Sequence, residues 1–161
     1  MKRPHLLAAL MAVAACASTS SAIPAEPTFP PGFVPIEVRR FVVDNWASWD
    51  HITGSPGQYG PPYNDETRLG WISSAPFEGS MPLYICQNNF PKDEHYTSAF
   101  ADCEGRGTRL PSPHVLGHVA ASQISGTIPL YRCVAAKNEF DSVHANCEGQ
   151  GMIGVLGYIF P

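Results

Sequence analysis

The chain has 161 residues with 10 basic and 14 acidic side chains, and it is 44% apolar with only 15% charged residues. That balance excludes a disordered tail, and a net charge of −4 argues against nucleic acid and anionic membrane surfaces as partners. The length suits one domain with a sizeable core.

At the N-terminus, Lys2 and Arg3 precede an apolar run from Leu6 to Ala15, followed by small residues. This is the pattern of a secretory signal, too short to persist as a membrane span, and residues 1–22 are expected to be removed on export. Ala15-Cys16-Ala17 and Ser20-Ser21-Ala22 both suit ordinary cleavage. Val13-Ala14-Ala15-Cys16 also fits a lipobox, in which Cys16 would carry lipid and anchor the protein. Either fate predicts a secreted or extracellular protein. Without Lys2 and Arg3 the balance becomes 8 basic to 14 acidic side chains, a net charge of −6. Residues 23–31, rich in proline, are read as a linker.

From residue 32 onward the chain repeats itself. "GFVPIEVR" (32–39), "GSMPLYIC" (79–86) and "GTIPLYRC" (126–133) share Gly-x-apolar-Pro, and both Gly32, Gly79, Gly126 and Pro35, Pro82, Pro129 step by 47. A second phrase, "DHITG" from Asp50, "EHYTS" from Glu94 and "EFDSV" from Glu139, follows in each copy. A third, Leu69-Gly70-Trp71-Ile72, Leu116-Gly117-His118-Val119 and Leu156-Gly157-Tyr158-Ile159, closes each copy. Three elements in one order, three times, indicate internal triplication over 32–78, 79–125 and 126–161. The short aromatic or β-branched runs bounded by Gly, Pro, Ser and Asn predict strands and turns. Over 38–52, Val38, Val42, Trp46 and Trp49 also fall at helical spacing, a rival reading. The fold expected is all-β, three pseudo-threefold repeats in a β-trefoil-like arrangement, with each Gly-x-apolar-Pro marking the turn into a first strand.

Export leaves Cys86, Cys103, Cys133 and Cys147 in an oxidising compartment. They sit at matched places in copies two and three. The economical pairing is Cys86–Cys103 and Cys133–Cys147, although four cysteines allow three connectivities. The first copy has Arg39 or Phe41 near the first cysteine position and Gly54 to Gly57 near the second, so it lacks the staple. The wide cysteine spacing does not suit a metal site.

"PLYRC", then "EHYTS", then "CEG", then "LGYI" resembles a repeat domain of unknown function in secreted bacterial proteins, with phrases of the "LYR…HFYT…EG…GY" kind, often found at the end of extracellular hydrolases. The resemblance spans about residues 32–161. It implies an accessory or binding role and carries no catalytic residues. Copy one departs by lacking "LY" and "CEG", and copy three by writing Phe140-Asp141 where His-Tyr stands.

No catalytic motif, metal set or cofactor signature is present in the sequence, and none is expected. His51 and His95 recur beside Asp50 and Glu94 and before Thr53 and Thr97, which reads as framework shared by copies. Trp71, His118 and Tyr158 read as core or core-edge. The expected function is therefore binding, by a monomer. Copy one alone concentrates aromatic and polar side chains, so a ligand face is expected from Trp46, Trp49 and Tyr63 with Asp44, Asn64 and Asp65 as polar partners. The expected ligand is extracellular or cell-wall polysaccharide. The alternative is an extracellular protein, with "FPKDE" (90–94) as the candidate tip of an inhibitor loop.

Overall fold

The computed structural model describes residues 27–45, 48–88, 94–110, 115–136 and 138–161, with the side chains of 44, 45, 48, 49 and 109 outside that description. Among the described residues the protein is all-β and antiparallel throughout. Its strands are β1 (Pro35–Asn45), β2 (Ser48–Gly54), β3 (Asn64–Ser73), β4 (Ser80–Asn88), β5 (Glu94–Ser98), β6 (Thr108–Arg109), β7 (Val115–Ala120), β8 (Ile128–Ala135), β9 (Asn138–Ser142) and β10 (Gly151–Ile159). Two 3-10 turns, Cys103–Gly105 and Cys147–Gly149, are the helical elements described. The hydrogen-bonded path runs β2-β1-β3-β7-β10-β8-β9, with β4 joined to β5, β6 and β7. The helical spacing over 38–52 yields to strands β1 and β2, whose β-branched and aromatic residues pair along a hairpin from Arg39↔Gly54 to Asn45↔Ser48.

In each copy the first strand pairs with the second and also with the last: β1 with β2 and β3, β4 with β5 and β7, β8 with β9 and β10. The core is assembled from matched positions. Val38, Leu83 and Leu130 come from the first strands, while Leu69, Leu116 and Leu156 and then Ile72, Val119 and Ile159 come from the last. All nine are buried in one cluster, and fully burying each is worth about 1.5–3 kcal/mol of transfer free energy. At the entrance Phe29 stacks on Phe33 with ring centroids 4.5 Å apart, and both meet Phe160 edge-on at 5.1 Å.

The repeated Leu-Gly has a steric cause. Gly70, Gly117 and Gly157 have φ of +149°, +158° and +146°, a region L side chains rarely adopt. Each lies against the neighbouring copy: a Cβ on Gly70 would stand 2.3 Å from the Phe160 carbonyl oxygen, on Gly117 2.9 Å from that of Ser73, and on Gly157 3.2 Å from that of Ala120. The residue after each glycine then bridges to the same neighbour, as Trp71↔Phe160, His118↔Ser73 and Tyr158↔Ala120. The closing strands thus tie each copy to the next.

The turns at Gly32, Gly79 and Gly126 do match, with φ of +81°, +73° and +82° and closing bonds Phe33 N–H to Pro30 O, Ser80 N–H to Phe77 O and Thr127 N–H to Ile124 O. The prolines do not all match. Glu37 faces Trp71 as Pro82 faces His118 and Pro129 faces Tyr158, so the partner of Pro82 in copy one is Glu37, two residues past Pro35. In copy three the register shifts by one: Cys133↔Phe140 matches Cys86↔Tyr96. Asn138, Glu139, Phe140 and Asp141 therefore occupy the places of Glu94, His95, Tyr96 and Thr97, and "EFDSV" begins one residue late as a counterpart of "EHYTS".

Gly70→Ala should destabilise the protein by about 1–3 kcal/mol through backbone strain, plus the clash with a backbone oxygen that cannot swing away. Gly60→Ala, whose Cβ would meet nothing within 4 Å, should be near neutral. Equal urea midpoints for the two variants would refute this account.

Candidate functional site

Strands β2, β5 and β9 pack against one another, and their polar side chains meet where water is largely excluded. Asp141, buried, accepts a hydrogen bond from Thr53 Oγ1 at 2.6 Å and from Thr97 Oγ1 at 2.5 Å. Burial pushes its carboxyl up, opposed by the two threonine hydroxyls and by the charges of Arg132 and Arg40. One layer away the copies join head to tail. Asp50 accepts from the His95 backbone N–H at 2.9 Å and lies 2.6 Å from His95 Nδ1. Glu94 accepts from the Glu139 N–H at 2.8 Å, and Asn138 Oδ1 bonds His51 Nδ1. Burial also raises the Glu94 carboxyl. The His-bearing phrase thus bonds each copy to a neighbouring strand.

Two junctions between copies carry a second device. Arg40 sends Nη1 and Nη2 to Glu148 Oε1 and Oε2 at 2.9 and 3.0 Å, and Nη1 also donates to the Asp141 carbonyl at 2.9 Å. Arg132 grips Glu104 through both oxygens and donates to the Thr97 carbonyl at 3.2 Å. In each case a serine completes the carboxylate: Ser142 to Glu148 at 2.7 Å and Ser98 to Glu104 at 2.8 Å. Both glutamates sit at positive φ, +57° and +59°, in the 3-10 turns, with Asn146 and Asp102 accepting their backbone N–H groups. The Arg132 guanidinium, helped by Ser98, holds the Glu104 carboxyl down to about 2 against the opposing effect of burial.

The disulfides Cys86–Cys103 and Cys133–Cys147 form within copies two and three, and all four cysteines are buried. In copy one Phe41 faces Ile52 as Cys86 faces Tyr96. Tyr59 follows Gly54 by the five residues that separate Cys103 from Ser98. Its ring meets Phe41 edge-on at 5.4 Å, so an aromatic contact stands where the other copies have a covalent bond. Burial raises the Tyr59 hydroxyl to about 12.

Of the residues expected to form a ligand face, Trp46 lies outside the described residues, as does most of "FPKDE". Asp44 and Trp49 face each other across the β1–β2 hairpin. Asn64 and Asp65 pair with Val42 and Phe41 of the same β1, so these four share one end of copy one. Asn64 is exposed. Asp65 forms an ion pair with Arg39 Nε at 2.7 Å. Tyr63 turns partly inward: its hydroxyl donates to Asp50 Oδ2 at 3.0 Å, and burial with the Asp50 charge raises it strongly. That contact is long-range in neither motif nor period, and no signal in the sequence announced it.

Three hollows open on this framework. One between β2, β5 and β9, lined by His51, Thr53, Thr97 and Asp141, holds only about 10 Å³, at most a water. Another of about 140 Å³ lies beside Arg40, Glu66, Phe140 and Glu148. A third, about 320 Å³ among the described residues, lies between copies one and two and includes Ile85, Leu116 and His118. Among the described residues no group of three or more His, Cys, Asp or Glu side chains is placed to hold a metal ion, and no helix is long and apolar enough to cross a membrane. No family model matches the chain, and no curated protein or solved structure matches it either.

Two outcomes test this framework. The contribution of Glu104 should be present above the ordinary carboxylate value of 4.5 and be lost as pH falls toward about 2, because the folded state binds its proton less readily. Glu104→Gln should lose about 1–3 kcal/mol at pH 7 and flatten the stability profile between pH 4.5 and 2 in urea titrations; an unchanged acid slope would refute the pairing. Reducing the disulfides, which close loops of 17 and 14 residues, should cost about 3 kcal/mol each. Amides of copy one should exchange first in the oxidised protein, and uniform protection would contradict that.

Proposed function

We propose that the protein is a secreted, non-catalytic binding module for extracellular or cell-wall polysaccharide, built on three like units in a pseudo-threefold, trefoil-like arrangement. One observation carries this reading: the strand register gathers aromatic, amide and carboxylate residues at one end of copy one. Asp50 with His95, His51 with Asn138, and Thr53 and Thr97 with Asp141 hold the three middle strands together. Those contacts serve the join between copies, whereas Asn64 at copy one's outer end is exposed to a ligand. There the register gathers Asp44, Trp49, Asn64 and Asp65, with Tyr63 beside them. Sugar rings stack their C–H faces on flat aromatics while carboxylates and amides bond the hydroxyls. The resemblance of the repeated phrases to domains appended to extracellular hydrolases supports the same role, and the two disulfides fit an oxidising compartment.

A protein partner is the second reading, favoured by Met152, Ile153 and Val155, which stand exposed on β10.

Retention of the mature protein on insoluble polysaccharides tests the first reading. Trp49→Ala and Asn64→Ala should each weaken retention about tenfold or more, with the circular dichroism of the wild type, given roughly 1–3 kcal/mol per stacked or hydrogen-bonded group. Absence of wild-type retention on every polysaccharide tried would reject it. Loss of a protein partner in Val155→Asp, with no polysaccharide retention in either protein, would select the second.

A further inference from the structure

The three junctions between copies are not alike. Where copy one meets copy three, Arg40, Ser142 and Glu148 form the clamp; where copy three meets copy two, Arg132, Ser98 and Glu104 form it. At the remaining junction, of copy two with copy one, the pairing puts Ile85 opposite Thr97 as Arg40 is opposite Thr53 and Arg132 opposite Asp141. Ile85 thus takes the arginine's place. The serine's place falls to Gly54, and counting six residues on, as from Ser98 to Glu104, brings Gly60 to the glutamate's. All three partners are missing together. The Thr53 carbonyl, whose counterparts accept from arginine, is left with the Tyr59 hydroxyl at 3.5 Å.

Tyr59 and Gln58 crowd Gly54 where the serine would stand, and beside them the 320 Å³ cleft lies at this junction, with Gln58 and Ile85 in its walls. We infer that this cleft is a binding site for a single neutral sugar residue or a short neutral glycan end. It rests on the saccharide reading above but names a different place from the Trp49–Asn64 face. Its size falls in the range of small-molecule pockets. Its walls alternate apolar Ile85, Val115 and Leu116 with polar Ser55, Gln58 and His118, which suits a ring with C–H faces and a hydroxyl edge. Among the described residues no Lys, Arg, Asp or Glu lines it, and a charged ligand would meet no opposite charge there to offset its desolvation. His118 Nδ1 is buried without a hydrogen-bond partner among the described residues, and such an atom costs free energy until a ligand hydroxyl or a water satisfies it.

The test titrates the ¹⁵N-labelled mature protein with methyl glycosides of glucose, galactose, mannose and N-acetylglucosamine, and measures polysaccharide retention in parallel. At least one glycoside should shift the Val115, Gly117 and His118 amides with a saturating curve. Ser74→Trp, a rim substitution at an exposed position, should reduce affinity at least tenfold while leaving the other amide shifts unmoved, and His118→Ala should weaken the same glycoside. Wild-type retention on polysaccharide with no cleft shifts, or shifts confined to residues near Asn64 and unaffected by Ser74→Trp, would overturn the cleft and leave the module reading intact. Cleft shifts without retention would sustain the cleft and reject the copy-one face. Neither retention nor shifts would reject both.

Discussion

The structure hangs on the need to satisfy polar atoms where three strands crowd together. β2, β5 and β9 approach closely enough to bury Asp141, Thr53, Thr97 and His51, and an unpaired group in that space would cost about 1–3 kcal/mol. Each therefore finds its partner on the next copy: Asp50 to His95, Glu94 to Glu139, Asn138 to His51. This head-to-tail rule reappears at the outer layer, where Arg40 and Arg132 reach the carbonyl and glutamate of the copy before them. It appears again among the closing strands, where Gly70, Gly117 and Gly157 admit a neighbour's backbone. None of these contacts can form within a single copy, so no copy completes its polar bonding alone.

Buried ion pairs are weak evidence for stability, since removing two charges from water offsets much of their attraction. Their sharper effect is on register. The Arg40 guanidinium reaches both Glu148 oxygens and the Asp141 carbonyl only if β1 and β9 stand in one alignment, and a slip by one residue would leave it only Glu66 and strand the Glu148 carboxylate. The cation also lies over the Phe140 ring, 4.9 Å from its centroid, which adds an orientation-dependent contact.

Much of this was legible in the sequence, and the reasons separate cleanly. Strand grammar revealed the all-β class, because alternation and turn residues act locally. The cysteines paired as their matched spacing suggested. Constant spacing misled at Pro35, though. From Gly32 to Val38 copy one has two residues more than from Gly79 to Leu83; from Val38 to Thr53 it has one more than from Leu83 to Thr97; and from Thr53 to Gly70 it has three fewer than from Thr97 to Gly117. The changes cancel, so a step of 47 survives at both ends while the strand between is displaced. Phe41 and Tyr59 were hidden for a different reason: an aromatic pair in the place of a disulfide shares no residue type with it, and only the fold shows their equivalence. The inward turn of Tyr63 toward Asp50 was likewise a tertiary fact.

The differences between copies are as informative as the likeness. Copies two and three keep a disulfide and the Ser–Glu half of a clamp, and each 3-10 turn holds cysteine and glutamate as adjacent residues at positive φ. The covalent bond and the ion pair therefore depend on one local backbone shape, which only the short Asp102 or Asn146 cap and the following turn maintain. Copy one has neither that turn nor either bond, because Tyr59 and Gly60 stand at the places of the cysteine and the glutamate. The apolar Ile85 across the junction is then required: an arginine there would be buried with no carboxylate to meet. The changed loop thus goes with the aromatic contact and the missing clamp, and the cleft opens beside it, between copies one and two.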